Sequence, residues 1–281
     1  MAVWWVVFFR LPYTEVTKWL SKNTRQNNPN NLIVLVMALS DLKSLVEWKE
    51  LCVRYRYDIT RFSIEALGMT PTWQQELLFR SIARDGSRTS VASGHGTGKS
   101  RSAGVVALWH LLFHEDSITL FTAPSITQLR EIVWKEISIC LNLLRTHNLG
   151  WLADYVAIFA EKIYIKGYDK SWHVIAKTAS KHKPESIAGQ HGDNYLLWGD
   201  EASGIDDKIY DVALGALSHK DNRCVLTSQP TRNAGFFYET HHRLSHFNGG
   251  AWTALTFNGE QSPIVSDEML LEMLEKYGSR D

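Results

Sequence analysis

Cysteine is scarce in this chain: 281 residues contain three, widely separated at Cys52, Cys140 and Cys224. An odd number without C-x-x-C spacing supports neither a disulfide framework nor a zinc site, and a reducing cytoplasm fits. Neither sign of charge is in excess, since 30 Lys and Arg balance 30 Asp and Glu. No overall basic field advertises nucleic acid, so any DNA contact has to be local or shared with other chains. Long apolar runs are also missing. Met1 to Phe9 is too short to span a bilayer and has neither a basic n-region nor a small-residue cleavage site, which argues against a membrane anchor and a signal peptide. Its Trp4-Trp5 and Phe8-Phe9 pairs are expected to pack on the body of the protein or on a partner. What remains is ordinary globular composition, 44% hydrophobic and 21% charged with 11 Trp, enough for one large α/β domain plus an appendage or for two small domains.

The chain is arranged around Thr89 to Ser100, Thr-Ser-Val-Ala-Ser-Gly-His-Gly-Thr-Gly-Lys-Ser. A short β-branched run enters a loop of Gly94, His95, Gly96, Thr97 and Gly98, and Lys99-Ser100 then open an apolar helical pattern. Glycines let the backbone reach positive φ and bring amides close to an anion, and the helix N-terminus adds partial positive charge. In such a phosphate cradle Lys99 reaches the β- and γ-phosphates and the Ser100 hydroxyl holds Mg²⁺. The first glycine of G-x-x-x-x-G-K-[ST] is replaced by Ser93, but the other glycines, the lysine and the hydroxyl are in register. The alternative is a flexible glycine loop ahead of a buried helix.

Residues 1–68 read as a largely helical leader without visible chemistry, polar from Ser21 to Asn31 and apolar at helical spacing from Leu32 to Arg54. A helix is expected to open with Thr70 as N-cap and Pro71 at N1, and Gln74 near its start is the candidate reader of an adenine edge. After the cradle come a helix to Phe113, an apolar strand from Ser117 to Ala123, and a long helix with capping-box spacing at Ser125 to Gln128. Lys162–Ile165 and Trp172–Lys177 read as a hairpin joined through Gly167 and Asp169. The Lys181, His182, Lys183 and His191 cluster that follows is either a solvated loop or a contact to nucleic acid or a partner. Tyr195 to Trp198 is a short apolar strand leading to Asp200 and Glu201, and the next, Cys224 to Thr227, runs into Ser228, Gln229 and Arg232. An acid at the carboxyl end of such a strand holds a metal shell, which suits Asp200, and a second orients and deprotonates water, which suits Glu201. Trp252 to Phe257 reads as a late strand, and Ser266 caps a last helix that Gly278 stops. Alternating strands and helices predict a doubly wound α/β fold.

Gln74, the cradle, Thr122-Ala-Pro124, Pro184 to Gly189, Trp198 to Ser203 and Thr227 to Arg232 together resemble the ATPase half of the large terminase subunit of tailed bacteriophages, from about Arg61 to Gly278. The resemblance implies a P-loop NTPase with a mainly parallel sheet of the additional-strand type, helices on both faces, and an ATPase domain over residues 69–281. It implies ATP and Mg²⁺ as ligands, Lys99 and Ser100 on the phosphates and metal, Asp200 as the Walker B acid, and Glu201 as the catalytic carboxylate. Thr227, Ser228 and Gln229 match its coupling motif. It leaves the arginine finger unassigned among Arg101, Arg130 and Arg232, because His95 and Thr97 stand where many relatives carry an arginine. It further implies a motor that works as a homo-oligomeric ring with a portal protein and a small terminase subunit. That motor would drive double-stranded DNA into a procapsid, in the host bacterial cytoplasm and transiently at the portal. The stretch after Gly278 leaves no room for the RNase H-like nuclease domain of full-sized relatives, so no DNA cleavage is expected. Another nucleic-acid translocase or helicase, and a non-hydrolysing prophage remnant that binds nucleotide or a partner, are the alternatives.

Overall fold

Short runs rich in β-branched and aromatic residues form the strands: β1 (Arg88–Ser93), β2 (Ile118–Thr122), β3 (Val156–Ile158), β4 (Lys162–Ile165), β5 (His173–Ala176), β6 (Tyr195–Asp200), β7 (Arg223–Ser228) and β8 (Thr253–Phe257). The computed structural model describes residues 41–147, 149–178, 184–187 and 192–278. Its eight-stranded sheet has the order β3-β4-β5-β2-β6-β7-β1-β8. All neighbours from β5 to β8 run parallel, whereas β3, β4 and β5 pair antiparallel. Every residue of β2 and β7 is buried, as a parallel sheet covered on both faces requires. The hairpin of β4 and β5 is as expected, with Gly167 at φ +90° in its connection. Strand β3 is not visible in the sequence, because its three residues are too few to show a strand period.

Helices α1 (Val46–Tyr55), α2 (Trp73–Ile82), α3 (Lys99–Phe113), α4 (Ile126–Thr146), α5 (Asp207–Gly215), α6 (Phe236–His241) and α7 (Asp267–Tyr277) surround the sheet. The buried apolar residues form two cores, one containing Trp48, Phe79, Trp109, Leu141 and Trp172, the other Leu120, Leu197, Tyr210, Leu226 and Trp252. Adjacent residues of β6 and β7 alternate between them, so the sheet separates the two layers and helices cover both faces. None of the described helices is long and apolar enough to cross a membrane.

Tryptophan ties the described part of the leader to the first core. Trp48 Nε1 donates to the Leu112 carbonyl at 2.8 Å and Trp172 Nε1 to that of Leu111 at 2.7 Å, while Trp109 Nε1 reaches the Tyr55 carbonyl at 2.8 Å. Each indole thus buries a large ring without orphaning its N–H. The start of α2 differs from expectation, because Thr72 rather than Thr70 is the N-cap. Gln75 stands three residues beyond Thr72, so hydroxyl and amide satisfy each other's backbone N–H reciprocally, which Trp73 cannot do for Thr70. Ser266 and Gly278 bound α7 as expected. The aromatic start, the Asn-rich loop and the Lys181 to Lys183 and His191 cluster lie outside the described residues.

Helices α3 and α4 cross closely at Gly104, where a Cβ would lie 2.6 Å from Glu136 Cβ and 2.9 Å from its carbonyl carbon. Gly104→Val is expected to destabilise the fold by about 1–3 kcal/mol, read from a lower urea midpoint at unchanged slope.

His110 in the last turn of α3 and His114, its C-cap, are wholly buried with ring centroids 4.8 Å apart. The Thr119 hydroxyl of β2 meets His110 Nδ1 at 2.8 Å, Trp109 lies edge-on to His114, and the cations Arg223 of β7 and Arg56 are their charged neighbours. Burial, reinforced by those positive charges, pushes both imidazole pKa values well below 6.5. Folding therefore keeps both rings neutral, and the unfolded chain binds more protons once pH drops below about 6.5. Unfolding free energy should fall between about pH 7.5 and pH 5.5, by up to about 1.4 kcal/mol per pH unit per histidine, and His114→Leu should flatten the curve.

Candidate nucleotide site

The loop after β1 turns through Gly96 at φ +72° and Gly98 at φ +83°, the left-handed region that glycine enters without penalty. Gly98 caps α3 with no side chain of its own, so the first amides of that helix face the loop as an anion site would need. Lys99 Nζ donates to the Gly94 carbonyl at 2.6 Å and to Ser93 Oγ at 3.1 Å. Burial lowers the pKa of its ammonium from the usual 10.5, the carboxylate of Asp200 opposing that shift. The hydroxyl of Ser93 also meets Thr97 Oγ1 at 2.5 Å. The departure from the glycine consensus therefore has a function: Ser93 is buried beneath the loop and joins its two ends. His95 and Ser100 are exposed at the loop tip and in the first turn of α3.

Across the sheet, β7 lies between β1 and β6, and Val91, Thr227 and Asp200 form one cross-strand row. The carboxyl ends of all three strands are thus level, which brings Asp200 to the cradle. Thr227 Oγ1 donates to Asp200 Oδ1 at 2.7 Å, leaving the second carboxylate oxygen free of that bond. Glu201 follows in the left-handed region at φ 49° and ψ 41°, a conformation that costs a non-glycine residue on the order of 1–2 kcal/mol. The turn is held where the Tyr210 hydroxyl donates to the Ala202 carbonyl at 2.7 Å. It leaves the Glu201 carboxylate exposed at the sheet's carboxyl edge, where α/β folds bind ligands. Glycine amides, an ammonium, a hydroxyl and two acids at one edge suit a magnesium-bound nucleotide triphosphate.

No protein-family profile matches the chain. Over 238 residues it is 38% identical to a protein of Enterobacteria phage P7 described as "Probable terminase, large subunit", a match covering 83% of this chain and 48% of that protein. The chain belongs to the family of phage large terminase subunits. Solved structures share the fold of this large terminase chain. One is a mutant of the Thermus phage P74-26 large terminase ATPase domain, with a TM-score of 0.56, 18% identity and coverage of 76% of this chain and 90% of that one. The HK97 bacteriophage large terminase gives a TM-score of 0.58 at 17% identity, over 81% of this chain and 51% of that one. The large terminase of a thermophilic bacteriophage, solved in complex with ADP, gives 0.53 at 12% identity, over 79% and 50%. This terminase chain thus spans about half the length of the curated relative it matches.

Other sequence-predicted residues of the terminase chain divide between site and scaffold. Gln74 is wholly buried, its Nε2 donating to the Asn258 carbonyl at 2.9 Å and its Oε1 without a hydrogen-bond partner among the described residues. Its neighbour Gln75, which the sequence did not single out, donates from Nε2 to the Gly98 carbonyl at 3.2 Å and so touches the cradle directly. Ser228 and Gln229 continue β7 beside the Glu201 turn. Arg101 is paired with Glu136 on α4, Arg130 stands 4.0 Å from Glu161, and Arg232 is exposed after β7. No group of three or more His, Cys, Asp or Glu side chains among the described residues is placed to hold a metal ion.

A Cβ on Gly98 would sit 2.7 Å from Gln75 Nε2 on a backbone at φ +83°. Gly98→Ala is expected to weaken ADP binding about tenfold or more, the equivalent of about 1.4 kcal/mol, by titration calorimetry.

Proposed function

We propose that this chain hydrolyses ATP and that hydrolysis drives double-stranded viral DNA into a procapsid. The observation that carries the reading is the level row through β1, β7 and β6, which sets the Asp200 carboxylate close enough to the cradle to act on the charge of Lys99. The 38% identity to a large terminase of phage P7 supports the same conclusion.

When bound, Mg·ATP supplies the phosphoanhydride and a cation that neutralises charge on its phosphates. The amides of the cradle residues Gly94 to Gly98 and the first turn of α3 hold phosphate oxygens, and Lys99 exchanges the Gly94 carbonyl for them. Ser100 Oγ and Asp200 would hold the cation. The Glu201 carboxylate orients the attacking water and takes its proton at a carboxylate oxygen. Gln74, with a buried Oε1 lacking a partner among the described residues, is our assignment for the adenine contact. Thr227, Ser228 and Gln229 pass the result from the acids to the loop beyond β7. An arginine from a neighbouring subunit completes the site, which would leave an isolated copy slow by about three to five orders of magnitude. The portal protein and small terminase subunit are the assigned partners, in a homo-oligomeric ring in the host cytoplasm.

Steady-state phosphate release with Mg²⁺ tests this reading. Double-stranded DNA should raise the rate, and Glu201→Ala should lower it by about 10²–10⁴-fold while ADP binding is kept. Lys99→Ala should lose both binding and turnover. A Glu201→Ala protein as active as the parent would overturn the assignment, and strand separation of a duplex would point to a helicase instead.

A further inference from the structure

Two residues beyond Glu201, Ser203 is buried, and its hydroxyl meets three partners at the carboxyl end of β7 and on the loop that follows it. Ser203 Oγ lies 2.8 Å from the Gln229 carbonyl, 2.8 Å from Ser228 Oγ and 2.8 Å from Thr231 Oγ1, and the Ser203 N–H donates to Ser228 Oγ at 3.0 Å. One arrangement of protons satisfies all four contacts. A carbonyl only accepts, so the single hydroxyl proton of Ser203 goes to Gln229, and its two lone pairs receive the protons of Ser228 and Thr231. Ser228 donates through its own proton and accepts from the Ser203 amide. The network has no spare donor and no spare proton, so removing one hydroxyl leaves a neighbour unsatisfied.

The placement matters because Glu201 sits between two such ties. Before it, Asp200 is bonded by Thr227; after it, Ser203 is bonded by Ser228, Gln229 and Thr231. The strained left-handed turn at Glu201 is therefore clamped at both ends to one continuous segment, residues 227–231. That segment leads into exposed residues 230–234, which border an open cleft of about 1250 Å³ with Lys208, Tyr238 and His241 on its wall.

We propose that Ser203 is a positioning residue that locks the Glu201 turn to the loop after β7, so that the carboxylate and the wall of the cleft move as one. The proposal rests on reading the site as an ATP-hydrolysing one. Ser203 touches no substrate and acts through Glu201 on one side and through Gln229 and Thr231 on the other.

The test compares the parent chain with Ser203→Ala, Ser228→Ala and the double variant, and with Thr231→Val, which removes one accepted bond at an exposed position and leaves the buried pair intact. In each single serine variant kcat should fall about tenfold and DNA stimulation should be lost, with ADP affinity and KM for ATP within about twofold of the parent. The double variant should be no slower than either single one, because both remove the same tie. Thr231→Val should lie between. Losses that multiply in the double variant, or a kcat unchanged in a variant that binds ADP normally, would overturn the proposal while leaving the ATPase reading intact. A folded parent that binds ADP but hydrolyses nothing even when assembled with double-stranded DNA and the portal protein would instead count against that reading. Amide exchange then judges the tie without turnover: residues 201–203 should exchange at least tenfold faster in Ser228→Ala, and unchanged exchange would overturn it.

Discussion

The site depends on where β7 sits. Because β7 separates the cradle strand β1 from the acidic strand β6, the hydroxyls at its carboxyl end stand between phosphate-binding loop and carboxylates. Parallel pairing in register makes that position rigid, since Val91, Thr227 and Asp200 are fixed in one row by ladder bonds on both sides of β7. A slip of β7 by one residue would turn Thr227 to the face opposite Asp200 and break their bond. Burial of every residue of β7, with Val225 in one core and Cys224 and Leu226 in the other, opposes such a slip.

A well-buried sheet can carry local cost at its edge. Glu201 holds a left-handed backbone, and Lys99 is partly desolvated beside its own loop carbonyls. Each of these features opposes stability, and each persists because the surrounding ladder and side-chain bonds overdetermine it. Deeper in the fold, Arg223 is wholly buried but ion-paired with Asp85 at 2.5 Å and bonded to the Ile82 carbonyl, which anchors β7 to the end of α2. The strand that aligns the candidate site is thus pinned at its amino end by charge and at its carboxyl end by hydroxyls.

The cradle was legible because its chemistry is local: glycine spacing, a lysine and a hydroxyl within a few residues. The apolar strands were legible because full burial on both faces writes continuous apolar runs. Strand order was not, since no local pattern says that β7 pairs with β1 rather than lying at an edge. Ser203 escaped notice for the same reason, as its partners are 25 to 28 residues away and a serine after an acidic pair carries no distinctive spacing. Gln74 and Gln75 show the limit most sharply. Adjacent and chemically identical, they differ only in helical phase, which sends Gln75 to the Gly98 carbonyl and Gln74 to that of Asn258. The capping box that fixes this phase lies two residues beyond the N-cap that the sequence suggests.

That phase also joins distant parts of the chain over the cradle. Gln74 and Trp73 hold the carbonyls of Asn258 and Gln261, and the next residues lie against the loop, with Ile264 and Val265 at 3.1 Å and 3.3 Å from where Cβ atoms on Gly98 and Gly96 would stand. The glycines suit this covering segment as well as the left-handed turns, because a Cβ there would press on the side-chain ends of Gln75, Ile264 and Val265. Lys99 has no such lock, only bonds to Ser93 and to Gly94. Phosphate oxygens are stronger acceptors for an ammonium than a neutral carbonyl, by roughly a factor of two, so an anion here would compete with the Gly94 carbonyl for Lys99 while the Ser93–Thr97 bond still spans the loop. The cradle is therefore closed by Lys99 bonds that an anion would contest and framed by the side chains of Gln75, Ile264 and Val265.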